Sequence, residues 1–156
     1  MHFSLIYVGE KSSKWTQQAC EQYSKRLPNQ FGFTQTRVIP VKRSKNTVIQ
    51  VARADEWNRV HEKISRDAFI VLLDERGKQL ASTEFAEKMD HWQNGGRDVV
   101  FIIAGADGVN EDDRNTADFV LALSHLTLPH ELARVLLIEQ LYRAWTILMQ
   151  HPYHRE

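Results

Sequence analysis

The strongest constraint on this chain is an apolar run too complete for a surface helix. Between Glu131 and Met149, Leu132, Val135, Leu136, Leu137, Ile138, Leu141, Ala144, Trp145 and Leu148 fall on nearly every face of a helical wheel. A surface helix carries one apolar stripe, whereas a helix apolar on most sides is covered on most sides. A chain of 156 residues has little interior for it, so a second subunit is the natural cover and a homodimer is expected. The run is preceded by the polar, turn-prone Leu123-Ser124-His125-Leu126-Thr127-Leu128-Pro129-His130, in which Pro129 suits a first helical turn. It is followed by His151-Pro152-Tyr153-His154-Arg155-Glu156. Chain ends are usually bland, but this one is rich in hydrogen-bonding and titratable groups.

Upstream, short apolar runs alternate with helical periods. Phe3–Val8 reads as a buried strand closed by Gly9. Ser12 or Ser13 caps a helix to about Leu27, with Trp15, Ala19, Tyr23 and Leu27 as its inner face. Phe31–Val41 reads as a second strand, Lys42-Arg43-Ser44-Lys45-Asn46 as a basic loop, and Val48–Ile64 as a helix with Val51, Ala52, Trp57, Val60 and Ile64 inward. The unbroken run Ala68–Leu73 marks a strand covered on both faces, with Asp74–Lys78 as a polar turn after it. Ser82 caps a helix that buries Phe85, Met89 and Trp92 and ends at Asn94-Gly95-Gly96. Val99–Ile103 and Phe119–Leu123 complete the strands, with a short helical piece at Asn110–Asn115 between them. Strands alternating with helices specify an α/β fold, a mostly parallel sheet flanked by helices. With no repeat, low-complexity tract or linker, residues 1–156 are expected to form one domain.

In open α/β sheets ligands sit beyond the carboxyl ends of strands. Three such ends carry polar or glycine-containing segments here, after Leu73, after Ile103 and after Leu123. Gly105-x-x-Gly108 lets backbone approach a flat ligand. It lacks the dinucleotide spacing, and Asp107 would repel a phosphate, so a phosphate-free cofactor such as S-adenosylmethionine suits it better. A tight strand-to-helix turn explains the same residues. Ser124–Pro129 offers donors for an adenine edge and Leu126 and Leu128 for its faces, and it also reads simply as the start of a helix.

Composition excludes some classes. No apolar run approaches bilayer length, and Met1-His2-Phe3-Ser4 leads directly into strand residues, so neither a membrane span nor a signal peptide is expected. The single Cys20 fits a reducing cytoplasm and reads as a buried structural thiol. The formal net charge of zero argues against binding free nucleic acid through charge alone. The histidines lack zinc-ligand spacing and no Cys pair exists, so no metal is expected.

Ser124-x-Leu126-Thr127-Leu128-Pro129-His130, Leu141-Tyr142-Arg143-Ala144-Trp145 and the closing His151-Pro152-Tyr153-His154-Arg155-Glu156 resemble the C-terminal signature of the ribosomal RNA large subunit methyltransferase H family. That family is a minimal branch of the SPOUT knotted methyltransferases. The resemblance continues through Leu72-Leu73-Asp74-Glu75-Arg76-Gly77-Lys78, Ile102-Ile103-Ala104-Gly105-Ala106-Asp107-Gly108 and Val8-Gly9, covering essentially the whole chain. It implies a C-terminal trefoil knot whose loops hold S-adenosylmethionine, with Leu73, Gly105, Ser124, His125, Leu126, Thr127, Leu128 and Pro129 lining the pocket. It implies methylation at N3 of a pseudouridine in 23S ribosomal RNA, on the assembled 70S ribosome, by a cytoplasmic homodimer. The chain departs from the commonest family wording at Ala104, Ala106 and His125, none of which carries a candidate catalytic group.

An imide N–H must lose its proton at or before attack on a methyl group, so a base or an anion-stabilising cation is useful. Tyr153, His154 and Arg155 are the candidates, with Glu156 and the terminal carboxylate beside them. A tail that latches a dimer accounts for the same residues, and both readings hold if it closes the partner's site. Lys42, Arg43 and Lys45, with Arg53 as an addition, are the candidate phosphate contacts. Arg143, on an apolar helix, needs a partner: a carboxylate across the dimer is the first expectation and an RNA phosphate the second. Two rivals remain, another RNA such as tRNA as acceptor, and a non-catalytic ribosome-binding or assembly factor.

Overall fold

A computed structural model describes residues 1–155; Glu156, named above with the tail, lies outside the described residues. In chain order the elements are β1 (Phe3–Val8), α1 (Lys14–Ser24), a 3-10 turn (Asn29–Phe31), β2 (Thr34–Val38), α2 (Ile49–His61), β3 (Phe69–Gln79), α3 (Ser82–Asn94), β4 (Val99–Ile103), α4 (Glu111–Asn115), β5 (Phe119–Ala122) and α5 (His130–Leu148). The strands form one sheet in the order β2-β1-β4-β3-β5. Every neighbouring pair is parallel.

The pleat sorts the core into two layers. Phe3, Leu5, Val71, Phe101 and Ile103 face a cluster shared with Cys20, Phe85, Met89, Leu137, Ile138 and Leu141, residues of α1, α3 and α5. Ile6, Val8, Leu72, Val100 and Ile102 face the opposite way, onto Trp57 and Val60 of α2 and onto Val109. β4 is buried at all five positions, as its unbroken apolar run requires. Trp92 anchors the first layer, with the rings of Phe69, Phe85, Phe101 and Phe119 around it at 5.6–6.2 Å.

Several helix faces differ from the expected ones. The inner face of α1 is Thr16 and Cys20, both essentially buried, while Trp15 is 52% exposed. Thr16 is drawn in because its hydroxyl bonds to Ser13 Oγ at 2.8 Å. On α2, Val51 is 67% exposed and Glu56 occupies the inner turn beside Ala52, Trp57 and Val60. α5 finds much of its cover inside the chain, since it packs on both α1 and α3. Pro129 stands just before α5 rather than within its first turn.

Two polar clamps seat α5. The backbone N–H and the hydroxyl of Ser13 donate to the two oxygens of Glu131, at 2.8 and 2.9 Å. Arg134, 5% exposed, lies 3.6 Å from the centre of the Tyr7 ring and donates to Ser12 Oγ and to Gln35 Oε1.

The largest departure is β3. Residues 74–78 are not a turn after the strand; β3 continues to Gln79. Leu73 and Lys78 both stand opposite Leu121 of β5, so the residues between them bulge out before pairing resumes. A Cβ on Gly77 would lie 2.6 Å from the Val120 carbonyl oxygen, which makes glycine necessary for the return.

Gly77→Ala should destabilise the fold by about 1–3 kcal/mol, the usual cost of forcing an extra carbon into packed backbone, as urea denaturation would measure. The Ser13 donors hold the Glu131 carboxyl below its ordinary value. Its contribution is therefore present above the unfolded-state value and lost as pH falls through the lower folded-state value. Stability curves of wild type and Glu131→Gln should differ at pH 7 and converge as pH falls through the folded-state value.

Candidate active site

The bulge of β3 and the carboxyl ends of β4 and β5 meet at one rim and enclose a cavity of about 340 Å³ with the start of α5 and one side chain each from α2 and α4. That volume suits a small organic ligand. Its walls are Leu72–Arg76 from β3 and its bulge, Ile103–Val109 after β4, Leu123, Ser124 and Leu126–Leu128 after β5, His130 and Ala133 from α5, Arg53 from α2, and Arg114 from α4.

Polar ties cross-link these segments. Arg114 Nε donates to Asp74 Oδ2 at 3.0 Å, joining α4 to the bulge, and both side chains are 15% exposed. Thr127 Oγ1 donates to Glu75 Oε2 at 2.6 Å, joining the bulge to the loop before α5. Within that loop the Leu126 N–H donates to Ser124 Oγ at 3.0 Å. Gly108 N–H donates to the Gly105 carbonyl at 2.9 Å, and Gly108 has φ +66°. The glycine segment is thus a closed turn and a cavity wall at once.

Of the residues expected to hold a cofactor, Leu73, Gly105, Ser124, Leu126, Thr127 and Leu128 line the cavity. His125 and Pro129 belong to the same segment without lining it, and both are exposed. The Thr127 hydroxyl is already committed to Glu75, and Leu126 is 75% exposed over the opening.

Tyr153, His154 and Arg155 are not among the cavity residues. They follow the far end of α5, whose 19 residues span about 28 Å at the helical rise. The Tyr153 ring meets Tyr142 edge-on at 4.6 Å, and its hydroxyl donates to Glu139 Oε1 at 3.1 Å. Burial first, then the Glu139 charge, pushes the Tyr153 phenol above its ordinary value, so it remains a hydrogen-bond donor at neutral pH. His154 Nδ1 is buried without a hydrogen-bond partner among the described residues. Arg155 is exposed.

Of the basic residues, Lys42 and Lys45 are exposed on the insert. Arg43 is exposed as well, but carboxylates engage its guanidinium, Glu56 at 2.8 Å and Asp107 at 2.7 Å. Arg143 pairs with Glu139, one turn back on its own helix, at 2.8 Å, so a carboxylate within the chain already engages it. Glu56, only 3% exposed, escaped sequence reasoning because it is charged. Its position one turn after Ala52 and one before Val60 is the signal that could have found it. No group of three or more His, Cys, Asp and Glu among the described residues is placed to hold a metal ion, and no helix of theirs is long and apolar enough to cross a membrane.

Residues 1–154 match the model of a family described as predicted SPOUT methyltransferase. A protein of Paraburkholderia phymatum named ribosomal RNA large subunit methyltransferase H is 42% identical over 155 residues, 99% of each chain. Proteins of the same name from Thioalkalivibrio sulfidiphilus and Neisseria meningitidis are 40% and 42% identical over 156 residues and the full length of each chain. The solved structure of a probable methylase family protein from Haemophilus influenzae Rd KW20 superposes with a TM-score of 0.55 at 13% identity, covering 99% of this chain and 70% of that one, which shows a shared fold. A parallel sheet with a cavity at its carboxyl rim and these full-length relatives agree: the chain belongs to the ribosomal RNA large subunit methyltransferase H family of SPOUT methyltransferases.

Proposed function

We propose that this chain is a cytoplasmic, homodimeric methyltransferase that uses S-adenosylmethionine to methylate N3 of a pseudouridine in 23S ribosomal RNA on the assembled ribosome. The observation that carries the reading is the cavity built from three strand ends in a chain whose full-length relatives are named for ribosomal RNA methylation. The β3 bulge after Leu73 and the loops after Ile103 and Leu123 form the knotted cradle of the cofactor.

The residues present fit that cofactor. Leucine side chains at 73, 126 and 128 offer apolar faces to a flat ring, and the turn at Gly105–Gly108 presents backbone at close range. Ser124, His125, Thr127 and Pro129 shape the segment that holds the ring's edge. S-adenosylmethionine supplies, when bound, a methyl group on an activated sulfonium. The protein's work is then to position the acceptor and manage its proton. Arg155 or His154 steadies the imide anion, and Tyr153, a donor fixed by Glu139, orients the group that takes the proton. Because the tail follows the end of α5 remote from its own cavity, it serves the cavity of a second copy.

Lys42 and Lys45 carry the phosphate contact, since carboxylates hold Arg43 and Arg143. With no net charge, the chain relies on ribosomal surfaces beyond the target hairpin for docking.

The deciding assay is transfer of labelled methyl from S-adenosylmethionine to 70S ribosomes, 50S subunits and naked 23S rRNA from cells lacking the enzyme. Mass spectrometry should place the label on a pseudouridine N3, strongest with 70S ribosomes. Equal labelling of naked RNA would overturn the ribosome preference. Arg155→Ala should lower turnover by about 10²–10⁴, the range for a lost acid–base or charge-stabilising group, with cofactor affinity within twofold; equal loss of both would remove the role assigned to it. Replacing Lys42 and Lys45 together by Ala should weaken ribosome binding and flatten its salt dependence, the slope of log K against log salt falling by about one per lost contact.

A further inference from the structure

The basic insert and the glycine wall of the cavity are joined through one buried carboxylate. Arg43 Nη1 donates to Glu56 Oε2 at 2.8 Å and Nη2 to Glu56 Oε1 at 3.1 Å. The same guanidinium reaches the cavity wall, with Nε and Nη2 donating to Asp107 Oδ2 at 3.0 and 2.7 Å. The Val41 N–H adds a third donor to the carboxylate, at Glu56 Oε2, at 2.9 Å. One planar fork thus fastens three segments: the insert, α2 and the turn after β4.

The turn sits hard against this pair. A Cβ at Gly105 would lie 2.8 Å from Glu56 Oε1 and 3.2 Å from Val8 Cγ1. The depth of the Gly105 backbone therefore depends on where Glu56 is held. Arg53, one turn earlier on α2, lines the cavity and reaches the Asp107 carbonyl with Nη1 at 3.5 Å. Its Nε is buried without a hydrogen-bond partner among the described residues.

We propose that Arg43 and Glu56 are positioning residues for the cofactor: their bidentate pair, extended to Asp107, sets the shape of the Gly105–Gly108 wall without touching the ligand. Arg is suited to this task and Lys is not, because only the fork can hold two carboxylates in fixed geometry. The inference rests on the reading of the cavity as the S-adenosylmethionine site.

The test is calorimetric titration of the full-length chain with S-adenosylmethionine, alongside melting curves and steady-state methyl transfer to 70S ribosomes. Three variants are compared: Arg43→Lys, Glu56→Gln, and Arg43→Gln combined with Glu56→Gln. The double variant removes both charges together and leaves no unpaired Glu56 carboxylate, which protects folding. The cofactor Kd should rise about tenfold in all three variants, a usual size for coupling between separate groups, Arg43→Lys included because an ammonium cannot reproduce the fork. KM for the cofactor should rise in step while kcat at saturation stays within about threefold, a split that general loss of structure would not produce. Wild-type affinity in the folded variants would overturn the proposal while leaving the cavity's assignment intact. Absence of binding by the wild-type chain would overturn that assignment and the proposal with it.

Discussion

Parallel pairing is the constraint on which the rest depends. When every strand runs the same way, every crossover leaves from the carboxyl ends of the strands, on one side of the sheet. The order β2-β1-β4-β3-β5 then sets the ends of β4, β3 and β5 side by side. The cavity is a consequence of that order, and its chemistry is whatever leaves each strand end. The bulge in β3 adds to this. By returning to pair with β5, the strand pushes Asp74, Glu75 and Arg76 out to the rim, where they become wall residues.

Strand ends meeting at a rim do not by themselves make a defined site, because loops are the soft part of a fold. Here each wall is tied to another by a charged or charge-assisted bond: Asp74 to Arg114, Glu75 to Thr127, and Arg43 to both Glu56 and Asp107. A buried carboxylate such as Glu56 is costly unless it is fully engaged. Three donor groups, the Val41 N–H and two from Arg43, meet that requirement. The wall's shape thus derives from pairs that lie behind it.

The sheet was legible in the sequence because a buried parallel strand leaves an unbroken apolar run, as in Val99–Ile103. The extension of β3 was not, since Asp74–Lys78 has the polarity of a turn and pairs only through a register shift. Trp15 and Val51 show a different failure. A strict four-residue spacing drifts off a 3.6-residue helix, and the buried positions at the start of α1 and the middle of α2 fall to the polar Thr16 and Glu56. At the site, the segments were legible as strand ends, and six of the expected residues line the cavity. The ties between walls were not, because Arg43 and Asp107 are 64 positions apart and nothing local records their meeting. The basic insert likewise read as a uniform positive patch, although carboxylates neutralise one of its cations.

The remaining constraint is distance. α5 has His130 and Ala133 on the cavity wall and leads at its other end to Tyr153, His154 and Arg155. A straight helix cannot bring its own two ends together. Two copies related by a twofold axis do so when their α5 helices lie antiparallel across it, the end of one then falling near the start of the other. The apolar character of α5 first suggested pairing as a way to hide surface, yet α1 and α3 already cover much of it. Under the proposed function the reason for pairing shifts from concealment to completion. Each cavity would lack its proton-handling groups until a second chain supplied them, so catalysis and assembly would be one requirement.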